Sequence, residues 1–102
     1  LWAQAAMVGE YQDFLTLRLT GRWTGSLNNA TMRWHYQTGQ GGWPDSLLAR
    51  LDLADLRARW PAELVAPGGV IGPLTAAAAA HLGLLAGTPV VQGGADAFIG
   101  MI

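Results

Sequence analysis

The segment Gly87-Thr-Pro-Val-Val-Gln-Gly-Gly-Ala-Asp96-Ala-Phe sets one carboxylate directly after a glycine pair. The β-branched stretch 88–92 reads as a strand and the apolar run after Asp96 as a helix, so the acid is expected at a strand-to-helix junction. Ligands of α/β sheets bind beyond the carboxyl ends of strands, and glycines there let a substrate approach the backbone closely. A carboxylate at a helix start is favoured in its ionised form, ready to accept a proton or to hydrogen-bond a hydroxyl. The same position suits a plain helix cap. On spacing alone, the cap is the favoured reading.

Other reactive groups are sparse. Glu10 and Asp13, three residues apart, have the look of a carboxylate pair, but two acids in a first helical turn ordinarily complement the helix dipole. His35 and His81 are far apart in sequence, and neither has histidine or acidic neighbours at metal-ligand spacing. With no cysteine in the chain, disulfides, thiolate zinc sites and cysteine nucleophiles are excluded. The glycine-rich stretch 37–42 lacks the Gly-Lys-Ser/Thr that a phosphate-cradling loop needs. Trp2, Trp23, Trp34, Trp43 and Trp60 offer rings for stacking on a sugar, yet large aromatics more commonly anchor cores and interfaces.

The elements that would position Asp96 follow from capping and periodicity. A helix is expected over 10–19, with Tyr11, Phe14, Leu15 and Arg18 on one face and Thr20-Gly21 as its stop. Residues 22–27 and 32–36, rich in Trp, Thr and Tyr, read as short strands, joined by a turn at Asn28-Asn29-Ala30-Thr31. Pro44 opens a helix carrying Leu47, Leu48 and Leu51 on one side, and a second helical segment spans 53–60 before Pro61. Val70-Ile71 reads as a strand, and Thr75 caps a helix that Gly83 stops. Helices alternating with short strands give an α/β fold class.

Composition bounds the rest. The 102 residues suit one domain or part of one, and at 51% apolar and 13% charged they are more apolar than a typical soluble domain. Six scattered arginines, no lysine and a net charge of −1 give no basic stripe, which argues against nucleic acid as a partner. No apolar run approaches the roughly 18 residues of a membrane span, and the opening Leu-Trp-Ala-Gln, with no basic n-region, is not expected to act as a signal peptide. The closing run Phe98-Ile99-Gly100-Met101-Ile102 has no polar tail and reads as a helix cut midway, as in an internal fragment.

Three stretches together carry a family resemblance. Glu10-Tyr-Gln-Asp-Phe-Leu-Thr-Leu-Arg-Leu-Thr-Gly21 is similar to a "D-[YW]-L-x-x-[KR]-L-T-G" helix. Asn28-Asn-Ala-Thr31 followed by Trp43-Pro-Asp-Ser-Leu-Leu-Ala-Arg-Leu51 is similar to "N-A-S … W-x-x-x-L-L-x-x-L". Gly69-Val-Ile-Gly-Pro-Leu-Thr75, His81-Leu-Gly-Leu, Gly87-Thr-Pro-Val and Gly93-Gly-Ala-Asp96 follow "G-x-[IV]-x-G-x-L-T … A-x-x-x-G-L-x-x-G-T-P-V … G-x-x-D". In that order and spacing the chain resembles the FGGY family of carbohydrate kinases.

The resemblance implies an actin-like, ribonuclease-H-like fold. Residues 1–102 would form the C-terminal part of the sugar-binding N-terminal domain, without a complete second domain. It implies transfer of the γ-phosphate of ATP to a hydroxyl of a small sugar or polyol in a cytoplasmic enzyme, with Asp96 as general base and Gly94 and Ala95 beside the substrate. ATP and Mg²⁺ would be held by loops outside this chain, and the full-length protein could form a homodimer. Ala97 stands where glycerol and xylulose kinases carry an amide, and Phe98 where ribulokinase-like members carry histidine. The pair Asp96-Ala97 resembles the ribulokinase-like pattern and so leans towards a pentulose, ribulose or xylulose, and away from glycerol. The missing amide at Ala97 and the Phe98 departure also suit a non-catalytic sugar-binding or sensor member of the same fold. A free-standing α/β domain unrelated to the kinases is the third reading. It would melt cooperatively as a monomer.

Overall fold

The computed structural model describes residues 1–101; Ile102, read above as the end of the closing apolar run, lies outside the described residues. A 3-10 turn at Trp2–Gln4 precedes helix α1, Tyr11–Thr20. Glu10 caps α1 and Asp13 closes a capping box, its Oδ2 accepting the Glu10 N–H at 2.9 Å. Gly21, left-handed at φ 76°, ends the helix by donating its N–H to the Leu17 carbonyl. The inward face of α1 is polar: Asp13 and Thr16 are buried, while Tyr11, Phe14 and Leu15 are exposed.

Strand β1, Thr24–Ser26, is buried along its whole length and pairs in parallel with β2, Glu63–Val65. Gly25 makes that close pairing possible, because a Cβ there would stand 2.9 Å from Leu64 Cδ2. Residues 27–33 then depart from expectation. Where a turn and a strand were expected, the chain forms helix α2, Leu27–Arg33. The Ser26 hydroxyl accepts the Asn29 N–H at 3.3 Å, and this cap outweighs the strand preference of the Trp- and Thr-rich sequence.

Helix α3, Asp45–Arg50, begins after Pro44 as expected, but it buries only Leu48 and leaves Leu47 and Leu51 exposed. The helix expected over 53–60 shrinks to a 3-10 turn at Ala54–Leu56 followed by further turns. Asp52, at φ 57°, breaks the register just before it. Trp60 ends this stretch within an aromatic cluster. It stacks on Trp34 at 4.6 Å and on Trp43 at 4.8 Å between ring centroids.

Strands β3, Val70–Pro73, and β4, Pro89–Val91, form an antiparallel pair with an irregular register between Val70 and Gly72. Between them lies α4, Ala76–Leu82, with Thr75 Oγ1 accepting the Ala78 N–H at 3.2 Å and Gly83 left-handed at its end. Helix α5, Asp96–Ile99, follows β4. Ile71, Leu74 and Ala79 form the apolar centre beside α1, and Ala30, Leu48 and Trp60 are buried elsewhere. The two small sheets meet where the end of β1 reaches the loop after β4, through Ser26 Oγ and the Gly93 carbonyl at 3.4 Å.

Candidate active site

Asp96 is the first residue of α5, and Ala95 is the cap. The carboxylate is exposed, and its Oδ1 accepts the Ala97 N–H at 2.8 Å. Among the described residues no hydrogen bond or ion pair engages Oδ2. With only four residues, α5 aligns few peptide dipoles, so the adjacent N–H is the main partner of the charge.

The loop leading to Asp96 is tied down by side chains from two other elements, β1 and α2, and by Gln92 within the loop itself. Gln92 is buried and donates from Nε2 to the Gly93 carbonyl at 3.1 Å. Ser26 donates to that same carbonyl from the end of β1, while accepting the Asn29 N–H. Asn28, in the first turn of α2, accepts the Ala95 N–H on Oδ1 at 3.0 Å. Asn29 Nδ2 reaches Gln12 Oε1 at 3.4 Å, joining α2 to α1.

The glycine doublet answers to this packing. Neither Gly93 nor Gly94 has a positive φ. A Cβ on Gly94 would lie 3.0 Å from Asn28 Oδ1, and one on Gly93 would lie 2.8 Å from Gln12 Nε2. Both positions therefore admit side chains of the protein itself. Asn28, read from the sequence as a turn-former, is instead a contact of the loop that carries Asp96. Gln12 and Ser26 had no sequence signal beyond their places at a helix start and a strand end.

The other sequence candidates stand apart from this loop. Asp13 lies under the start of α1, and burial pushes its carboxyl above the ordinary value of 3.8. Glu10, which pairs with Arg33 at 2.9 Å, is its partner in the cap. His35 faces a shallow hollow with Gln37, Gln40 and Trp43, whereas His81 lines a groove of roughly 770 Å³ between α1 and α4. Asp96 lines neither. The faces of Trp43 are occupied by Trp60 and by the Arg57 guanidinium, 4.8 Å from the ring centroid, as suits a packing anchor. Among the described residues no three histidine or acidic side chains group as a metal site, and no helix is long and apolar enough to cross a membrane.

The profile of the FGGY family of carbohydrate kinases, N-terminal domain, matches residues 1–102. The chain belongs to this family. Its helices and short strands are those of an FGGY N-terminal domain, with the actin-like, ribonuclease-H-like fold. Among similar proteins is an FGGY carbohydrate kinase domain-containing protein of Danio rerio, 38% identical over 106 residues and matching 99% of this chain. Autoinducer-2 kinases of Klebsiella pneumoniae and Enterobacter sp. are each 33% identical over 102 residues, the whole of this chain. The FGGY segment described here spans 19% of each of these relatives, about one-fifth of their length.

Proposed function

We propose that this chain is the C-terminal part of the N-terminal domain of an ATP-dependent sugar kinase, and that Asp96 is its general base. In this reading the γ-phosphate of ATP passes to a hydroxyl of a small sugar or polyol. Phosphoryl transfer proceeds through a loose transition state, so the protein contributes mainly position and charge. A carboxylate that orients the attacking hydroxyl and accepts its proton late meets that need. Asp96 suits the role because its Oδ1 is steadied by the Ala97 N–H while Oδ2 stays available to solvent and ligand. That geometry is the observation that carries the proposal. Gly94 and Ala95, next to the carboxylate, would flank the bound sugar.

The chain has no lysine, and among its described residues no acidic or histidine cluster that fits Mg²⁺. The metal and the nucleotide phosphates are accordingly assigned to no residue of this segment. The proposed enzyme is cytoplasmic, takes a sugar and ATP as partners, and is compatible with a homodimer of the full-length protein.

A pentulose, ribulose or xylulose, is the favoured acceptor, from Ala97 directly after the base. A second reading takes autoinducer-2 as the acceptor, favoured by 33% identity to kinases of that name. The test is ADP release by the full-length kinase across pentuloses, polyols and autoinducer-2. Turnover on one class, abolished by Asp96→Asn, is the expected result. Sugar binding without turnover on any acceptor would instead support a non-catalytic sugar sensor.

A further inference from the structure

We infer that Asn28 is a positioning residue, the strut that sets where the Asp96 carboxylate stands. The inference rests on the reading of Asp96 as base and extends it to a side chain far away in sequence. Helix α5 cannot hold Asp96 in place by itself. It has four residues, none of them buried, and nothing of the core is built from it. Its position must be imposed through the loop that enters it.

Asn28 grips that loop one residue before the carboxylate, where Oδ1 accepts the Ala95 N–H at 3.0 Å across 67 positions of sequence. The strut has a firm base. Asn28 sits in the first turn of α2, which Ser26 caps, and Ser26 belongs to the fully buried β1. The Ser26 hydroxyl also donates to the Gly93 carbonyl, giving the loop a second attachment two residues earlier than Ala95. Gly94 completes the arrangement, because its missing side chain leaves room for Asn28 Oδ1. Loss of Asn28 would free the Ala95 N–H and let Asp96 drift from a reacting hydroxyl.

Misplacement of a catalytic group by about 1 Å costs on the order of 100-fold in rate. In the full-length kinase, Asn28→Ala is therefore expected to lower kcat by about 10- to 100-fold while the sugar KM stays within about threefold. Asn28→Asp, which retains an acceptor oxygen at the same reach, is expected to recover most of the lost kcat. Gly94→Ala keeps Asn28 but crowds Oδ1, and is expected to reproduce the kcat loss. It carries the test should Asn28→Ala fail to fold. Asp96→Asn is assayed alongside. If Asp96→Asn is inactive but Asn28→Ala turns over normally or loses activity only through a raised KM, or if Gly94→Ala keeps the wild-type kcat, the positioning role is overturned and the base survives. Failure of Asn28→Asp to restore turnover lost by Asn28→Ala also overturns it. Wild-type turnover by Asp96→Asn overturns the base itself, and the strut with it.

Discussion

Two aspartates at helix starts show how much surroundings decide for a single residue. Asp96 is exposed, whereas Asp13 is 2% exposed, with Oδ2 on the Glu10 N–H and Oδ1 lacking a partner among the described residues. Burial raises the Asp13 pKa above 3.8. Just above that value the unfolded chain has released this proton while the native state still holds it. Stability from Asp13 is therefore full below the unfolded pKa and is lost as pH rises through the folded one. Asp13→Asn keeps an acceptor for the Glu10 N–H and removes the titration. It should flatten the fall of Tm with pH that begins above the unfolded value of 3.8 in the full-length protein. Parallel wild-type and variant profiles would contradict this origin. Both acids were legible as helix-start residues. Which of them would be buried was not, because that depends on β1 packing against α1 across a chain reversal.

At the scale of elements, the sequence was readable where one local device decided the outcome. Thr75 and Gly83 bound α4, and Glu10 and Gly21 bound α1, each through hydrogen bonds within a turn. Thr75→Ala should cost about 1 kcal/mol, read as a fall in the denaturation midpoint. An unchanged midpoint would show that the cap contributes nothing. Residues 27–36 were misread because Ser26 both ends a strand and caps a helix, so strand-forming residues after it fold as α2. Residues 53–60 were misread because a helical pattern of leucine and alanine yielded to Asp52 in the left-handed region and to the aromatic cluster around Trp60. The loop holding Asp96 was legible as glycine-rich. Its attachment to Asn28 was not, since the two lie 67 residues apart. Gly25→Ala should destabilise by about 1–3 kcal/mol through overpacking against Leu64. Chemical denaturation of the full-length variant measures it, and a wild-type midpoint would contradict the close β1–β2 contact.

The molecule as a whole is flat, 47 × 37 × 20 Å, with two separate two-stranded sheets. Tyr11, Phe14, Leu82, Leu85 and Val91 are large apolar side chains left exposed. Expressed alone, the 102 residues should bind a hydrophobic dye, unfold without a sharp transition and release no ADP. A cooperative, dye-free melt would mark an independent domain, and ADP release would refute the assignment of nucleotide binding to sequence outside this segment. The fold class was legible at this scale from alternating helices and strands, and the family from motifs spread along the chain. The meeting of β1, α2 and the Asp96 loop was not, since only the folded chain brings them together. The central claim, that Asp96 is the base of a sugar kinase, is most directly tested by the turnover of Asp96→Asn in the full-length protein with its preferred acceptor and ATP. A loss of kcat of about 100- to 10,000-fold, with the sugar KM within about threefold, is predicted; turnover equal to wild type would contradict it.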